Sequence, residues 1–257
     1  LFRSKSFHKI LFGNFTRILT VSASDANEFK SFDLVEDKIR AVGDTRFDRV
    51  YQRSLLARNK NLINENIIKN RKIFVAGSTW EQDEEVIFPA LLKLAEMDDS
   101  IIIIIAPHEP TLLRLEKIEN EFSGKLNTIR FSHLNNYSDE RIIIVDSIGI
   151  LLMLYTYADV AYVGGGFKQN IHNVLEAAVY GTPVLFGPKI KNSQEAIRLT
   201  EIGGGIIVNN KRQAYRNLRK LFLDNTLRNE TGKISASYVQ SNVGATKKIM
   251  DAIYKVI

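Results

Sequence analysis

Residues 159–188 read DVAYVGGGFKQNIHNVLEAAVYGTPVLFGP, and this stretch restricts the fold more than any other. An apolar run, Val160–Val163, meets the glycines Gly164–Gly166. A segment with helical spacing follows at about Asn173–Tyr180, then Gly181, Pro183 and a second apolar run, Val184–Phe186. Short apolar runs bounded by glycine, with a helical segment between them, predict a parallel strand–helix–strand unit. Units of this kind bind ligands beyond the carboxyl ends of their strands. That position holds Gly165 and Gly166, then Lys168, His172, Asn173 and Glu176. Glycine lets backbone N–H groups approach an anion, and a helix N-terminus adds partial positive charge. Asn173 and Glu176 share a helix face and fit a capping box as well as a ligand pair, in which the carboxylate accepts the hydroxyls of a ribose. The glycine run and the strand before it favour the ligand.

The pattern recurs along the chain. Lys72–Ala76 reads as a strand and is followed by Gly77, Ser78, Thr79 and Trp80. Gly77, Ser78 and Thr79 form a candidate phosphate cradle that lacks the lysine and spacing of a P-loop. The acidic run Glu81–Glu85 suits the first turn of a helix reaching about Met97. Ile101–Ile105 is apolar throughout, as a strand covered on both faces must be, and it ends in a proline-fixed loop carrying His108. Ile142–Val145 reads as a further strand. It ends near Ile148 and Gly149, where exposed backbone can face a flat base. Together these predict an α/β fold: a Rossmann-like parallel sheet with helices on both faces.

Composition narrows the chemistry. No cysteine is present, which excludes disulfides and thiolate-held metal. The four histidines are dispersed without metal-ligand spacing, so no metal site is expected. The net charge of +6 admits phosphorylated substrates, anionic lipid or nucleic acid. No basic arm, finger or RNP-like motif supports the last, and no nucleic-acid partner is expected. The first 23 residues mix apolar and basic types, a pattern that serves for packing on the domain or for lying on an anionic membrane. Ser24 is a plausible N-cap for a helix over 25–32. The polar, basic segment after Arg49 marks a boundary. Residues 1–50 then end one domain, 51–72 link, 73–240 form a nucleotide-binding domain, and 241–257 form a C-terminal helix.

Five pieces carry a family resemblance: VGDTRFD (Val42–Asp48), GSTWEQDEE (Gly77–Glu85), APHEP, DSIGILLMLYTYADVAYVGGGF (Asp146–Phe167) and HNVLEAAVYGTPVLFGP (His172–Pro188). In this order and spacing the chain resembles the 3-deoxy-D-manno-octulosonic acid (Kdo) transferases, enzymes of lipopolysaccharide synthesis with the two-domain GT-B fold. The resemblance implies the end of the acceptor domain plus the whole donor-binding domain. It implies a CMP-Kdo donor, a lipid A precursor as acceptor, a place at the cytoplasmic face of the inner membrane, and no cofactor. By motif, Gly77, Ser78 and Thr79 lie near the phosphate, the Ile148–Gly149 backbone faces cytosine, and Asn173 and Glu176 hold the phosphate and ribose side. The catalytic base is expected upstream of this chain. Many family members have Pro-Arg-His-Pro where this chain has APHEP, so His108 stands where a guanidinium is usual. The alternatives are a GT-B enzyme or epimerase that uses a UDP-sugar, and a non-catalytic nucleotide-binding module.

Overall fold

The computed structural model describes residues 2–168 and 170–255. They form two compact units, one from residues 1–52 and 240–257, the other from 53–239. In the first unit, β1 (Ile18–Thr20) pairs in parallel with β2 (Ile39–Ala41). Around this pair lie the helices Phe2–Gly13, Ala23–Lys30 and Ala245–Tyr254 and the start of the helix Thr45–Ala57. The N-cap of Ala23–Lys30 is Ser22 rather than Ser24. Ser22 Oγ accepts from the Asp25 N–H, and the Asp25 carboxylate accepts from the Ser22 N–H, each at 3.0 Å. This reciprocal box needs a carboxylate three residues on, which Ser22 has and Ser24 lacks. Asp48 accepts from the N–H groups of Gly244 (2.7 Å) and Thr246 (3.2 Å), fastening the start of the C-terminal helix. No helix among the described residues is long and apolar enough to cross a membrane.

The second unit is built on a seven-stranded sheet, parallel throughout. Its strands are β3 (Lys72–Thr79), β4 (Ile101–Pro107), β5 (Thr128–Arg130), β6 (Ile142–Ile144), β7 (Val160–Val163), β8 (Val184–Phe186) and β9 (Gly205–Ile207). In space they run β5-β6-β4-β3-β7-β8-β9. Ile101–Ile105 is fully buried, as its unbroken apolar character requires. Each such side chain contributes about 1.5–3 kcal/mol on burial. The helices Glu81–Met97 and Lys211–Leu223 supply Leu91, Leu94, Leu218 and Phe222 to the same core.

The order of the strands locates the site. From β3 the chain moves to β4 on one side, and it later returns to place β7 on the other side. The direction of winding reverses between β3 and β7, and folds of this kind bind ligands beyond the carboxyl ends of the strands at that point.

Three local features differ from the sequence reading. β3 continues to Thr79 because Ser78 takes up the left-handed region (φ 53°) as an extra residue, and the register with β4 shifts there. This bulge carries the strand on into the turn. β5 leaves no mark in the sequence, since three residues give too little alternation to read. The helix expected over 173–180 is confined to Leu175–Ala178. Asn173 Oδ1 accepts from the Leu175 N–H at 3.1 Å, which holds the chain in a turn before the helix. A single helical turn supplies little dipole.

Candidate functional site at the switch point

The turns after β3 and β7 press against each other. The Gly164 N–H donates to the Gly77 carbonyl at 2.9 Å, and a Cβ on Gly164 would come within 2.7 Å of Thr79 Cα. Gly166 lies equally close to Gly187, whose N and Cα are 2.7 Å from where its Cβ would stand. Only glycine permits these backbone approaches. Gly77 faces Leu151 and the Tyr155 hydroxyl, so the helix after β6 also closes on this point.

Asp83 fastens the arrangement. It is fully buried, and its carboxylate accepts from the Trp80 N–H (2.9 Å), the Gly165 N–H (2.9 Å) and the Tyr162 hydroxyl (2.8 Å). A buried carboxylate is tolerable only when hydrogen-bonded in this way. Burial, reinforced by Asp83, pushes the Tyr162 phenol well above its ordinary value, so it remains a donor.

Above this tie lies a cluster of rings. Trp80 Nε1 donates to His172 Nε2 at 3.0 Å. His108 stacks on His172 with centroids 4.3 Å apart and lies 4.5 Å from Trp80. The Lys168 ammonium sits 3.2 Å from the centre of the Trp80 ring, a cation–π contact. The loops after β3, β4 and β7 therefore meet in one cluster.

Glu176 follows in the short helix after this loop. Asn173 Nδ2 donates to its Oε1 at 3.4 Å. Burial raises the Tyr155 phenol well above its ordinary value, and the Glu176 carboxylate adds to the rise. The Tyr155 hydroxyl lies beside Gly77, and the Glu176 carboxylate is near enough to act on the same phenol.

Gly77, Ser78, Gly165, Gly166, Lys168 and His108 meet in the loops after β3, β4 and β7, and Asn173 and Glu176 follow directly after His172. Thr79 and Gly165 carry different duties. The Thr79 hydroxyl is buried and donates to Glu84 Oε1 at 2.6 Å, while Glu84 pairs with Arg114. Burial raises the Glu84 carboxyl above its ordinary value. The Gly165 N–H is committed to Asp83, so this group does not face an anion. Ile148 is 81% exposed and Gly149 (φ 80°) has open space beside its Cα, leaving that backbone bare just before Leu151. Among the described residues no group of three His, Cys, Asp or Glu is placed to share a metal ion.

No family model matches the chain. It is 27% identical over 274 residues to the 3-deoxy-D-manno-octulosonic acid transferase of Rickettsia prowazekii, covering 99% of this chain and 54% of that protein. The C-terminal CMP-Kdo binding domain of WaaA from Acinetobacter baumannii superposes with a TM-score of 0.61 at 21% identity, over 75% of this chain and 98% of that one. The chain belongs to the Kdo transferase family. It spans about half the length of the curated relatives it matches. The GT-B fold is shared more widely. UDP-GlcNAc 2-epimerase from Neisseria meningitidis, bound to UDP-GlcNAc, gives a TM-score of 0.64 at 17% identity over 93% of this chain and 61% of that one.

Within this Kdo transferase fold, sequence reasoning passed over the residues that hold these turns together. Asp83 lay inside an acidic run read as first-turn carboxylates. Its signal was its place three residues after Trp80, where a side chain can return to the N-cap N–H. Tyr155 and Tyr162 carried no signal, because buried tyrosines in apolar runs read as core.

Proposed function

We propose that this chain forms the donor-binding half of a glycosyltransferase that moves Kdo from CMP-Kdo to the lipid A precursor. The observation that supports the reading is the meeting of the strand-end turns at the switch point, where the Tyr155 hydroxyl lies beside Gly77 and the Glu176 carboxylate acts on the same phenol. A cytidylate fits there with its phosphate against the Gly77–Ser78 turn, its ribose hydroxyls on Glu176, and its base along the bare Ile148–Gly149 backbone. Asn173 orients the Glu176 carboxylate. Lys168 and His108 lie on the rim where phosphate charge develops as CMP departs, and fixed donors and cations there stabilise the leaving group. We assign the base for the acceptor hydroxyl to none of the described residues. The acceptor, a glycolipid, calls for a membrane surface, and the cytoplasmic face of the inner membrane is the site we assign.

The same fold also houses enzymes of UDP-sugars, so nucleotide preference is the test. Thermal shift and calorimetry with CMP, UMP and UDP should give stabilisation by CMP above the other two. Glu176→Gln should weaken CMP binding at least tenfold while changing ligand-free stability by no more than the about 0.5–2 kcal/mol that a capping role involves. Equal CMP affinity in the two proteins contradicts the assignment. A preference for UDP transfers it to the second class.

A further inference from the structure

The helix Lys211–Leu223 has two unlike sides. Ala214, Leu218, Leu221 and Phe222 are buried in the core. Arg212, Arg216, Arg219 and Lys220 are exposed and lie along the opposite side at helical spacing. No carboxylate pairs with any of these four side chains among the described residues. Elsewhere in the unit Arg130, Arg141 and Arg228 each face an acid. The stripe ends in Leu223, which is 57% exposed and flanked by Asn225 and Thr226. Asp224, at the same end, accepts from the Leu227 N–H as the cap of the next helix.

A straight row of unpaired cations ending in a bare leucine has the chemistry of a surface that rests on lipid: cations against headgroup phosphates, the apolar end in the acyl boundary. Nucleic acid suits it less, since the row offers no ring for stacking. Tyr215 on this helix donates to Met97 Sδ and Phe222 is buried. We infer that the stripe Arg212–Arg216–Arg219–Lys220, with Leu223, is a docking face for an anionic phospholipid bilayer. It does not depend on the donor-site reading, and its test needs neither CMP nor UDP.

The experiment is co-sedimentation with phosphatidylcholine vesicles, with and without phosphatidylglycerol. The proteins are the wild-type chain, a variant with Arg212→Gln, Arg216→Gln, Arg219→Gln and Lys220→Gln, Leu223→Ser, and a control with Phe7→Ser, Lys9→Gln and Ile10→Ser on the helix Phe2–Gly13. Wild type and control should bind the anionic vesicles alike, with affinity falling steeply with salt. The four-fold variant should lose affinity on the order of a thousandfold. Leu223→Ser should bind more weakly while keeping the salt dependence. Unchanged melting of each variant keeps a loss of fold from imitating a loss of binding. The inference is overturned if wild type binds no vesicle, if the four-fold variant binds as wild type does, if the control alone abolishes binding, or if a single-stranded oligonucleotide binds the stripe more tightly than the vesicles do.

Discussion

Trp80 Nε1 and His172 Nε2 meet at 3.0 Å, and the indole is the donor. An indole nitrogen cannot accept, so His172 must present a bare Nε2 and carry its proton on Nδ1. The imidazole is neutral in this arrangement. Burial holds it below the usual imidazole range, and the stacked His108 and nearby Lys168 lower it further, against an opposing pull from Asp83. Protonating His172 replaces an attraction with two opposed N–H groups, so the ring cluster is stable only while the histidine is neutral.

The first prediction concerns that proton. A histidine held below its unfolded value stabilises the fold fully above the unfolded pKa of about 6.5. That stability is lost as pH falls from there through the lower folded value. Urea denaturation between pH 8 and pH 5 should show this loss in wild type and a flatter profile in His172→Gln. Trp80→Phe removes the donor, and an NMR titration should then place His172 closer to its ordinary value. A value unmoved by Trp80→Phe would show that the hydrogen bond does not govern the tautomer.

Asp83 makes the second prediction. Asp83→Asn keeps the size but turns one acceptor into a donor facing the N–H groups of Trp80 and Gly165 or the Tyr162 hydroxyl. Leaving one or two buried donors unsatisfied costs about 1–3 kcal/mol each. Asp83→Asn should therefore destabilise by about 2–4 kcal/mol in urea, and Tyr162→Phe by about 1 kcal/mol. The pair should couple in a double-mutant cycle, because both lie on one carboxylate. Strict additivity would remove Asp83 from its place as the tie between the turns.

These residues also mark how far the sequence could be read. The sheet was legible because Ile101–Ile105 and Val160–Val163 are apolar without alternation, which only a strand buried on both faces tolerates. The close approach of the strand-end turns was legible through their glycines, since Gly77, Gly164 and Gly166 stand where the chain packs too tightly for a Cβ. The contacts that hold the turns together were not. Trp80 is 92 residues from His172, and Asp83 is 82 from Gly165. Local periodicity carries no trace of such pairs. The short helix at 175–178 was over-read because the apolar spacing continues to Tyr180 although the Asn173 side chain has already bent the chain.

A third prediction follows from the opposite end of the sheet. Lys72 Nζ lies 2.8 Å from Asp98, joining the start of β3 to the end of the helix before β4. Its hydrogen bond, with that of Ser100, lowers the Asp98 carboxyl to about 2. A depressed carboxyl contributes stability above its unfolded value, and the contribution is lost as pH falls from 3.8 towards about 2. Asp98→Asn should remove that part of the acid denaturation profile. At neutral pH it should cost about 1 kcal/mol or less, because the pair is partly exposed. An acid profile identical to that of wild type would place the titration elsewhere.

Ser78 separates strain from function. Its left-handed backbone (φ 53°) sits in the bulge of β3, between Gly77 and buried Thr79. A side-chain-bearing residue in that region stores about 1–2 kcal/mol relative to the right-handed conformation, and glycine does not. Such strain gathers where a turn must present its groups in one direction. Ser78→Gly should therefore be more stable than Ser78→Ala by about 1 kcal/mol, since alanine keeps the strain and glycine releases it. Both lose the hydroxyl, and if the turn holds a phosphate both should bind CMP more weakly than wild type by a similar factor. Ser78→Gly would then be the more stable protein and the poorer binder, a combination that a purely structural serine does not produce. If Ser78→Gly binds CMP as wild type does, the hydroxyl is not a ligand. If it is less stable than Ser78→Ala, the left-handed turn is not the conformation in solution.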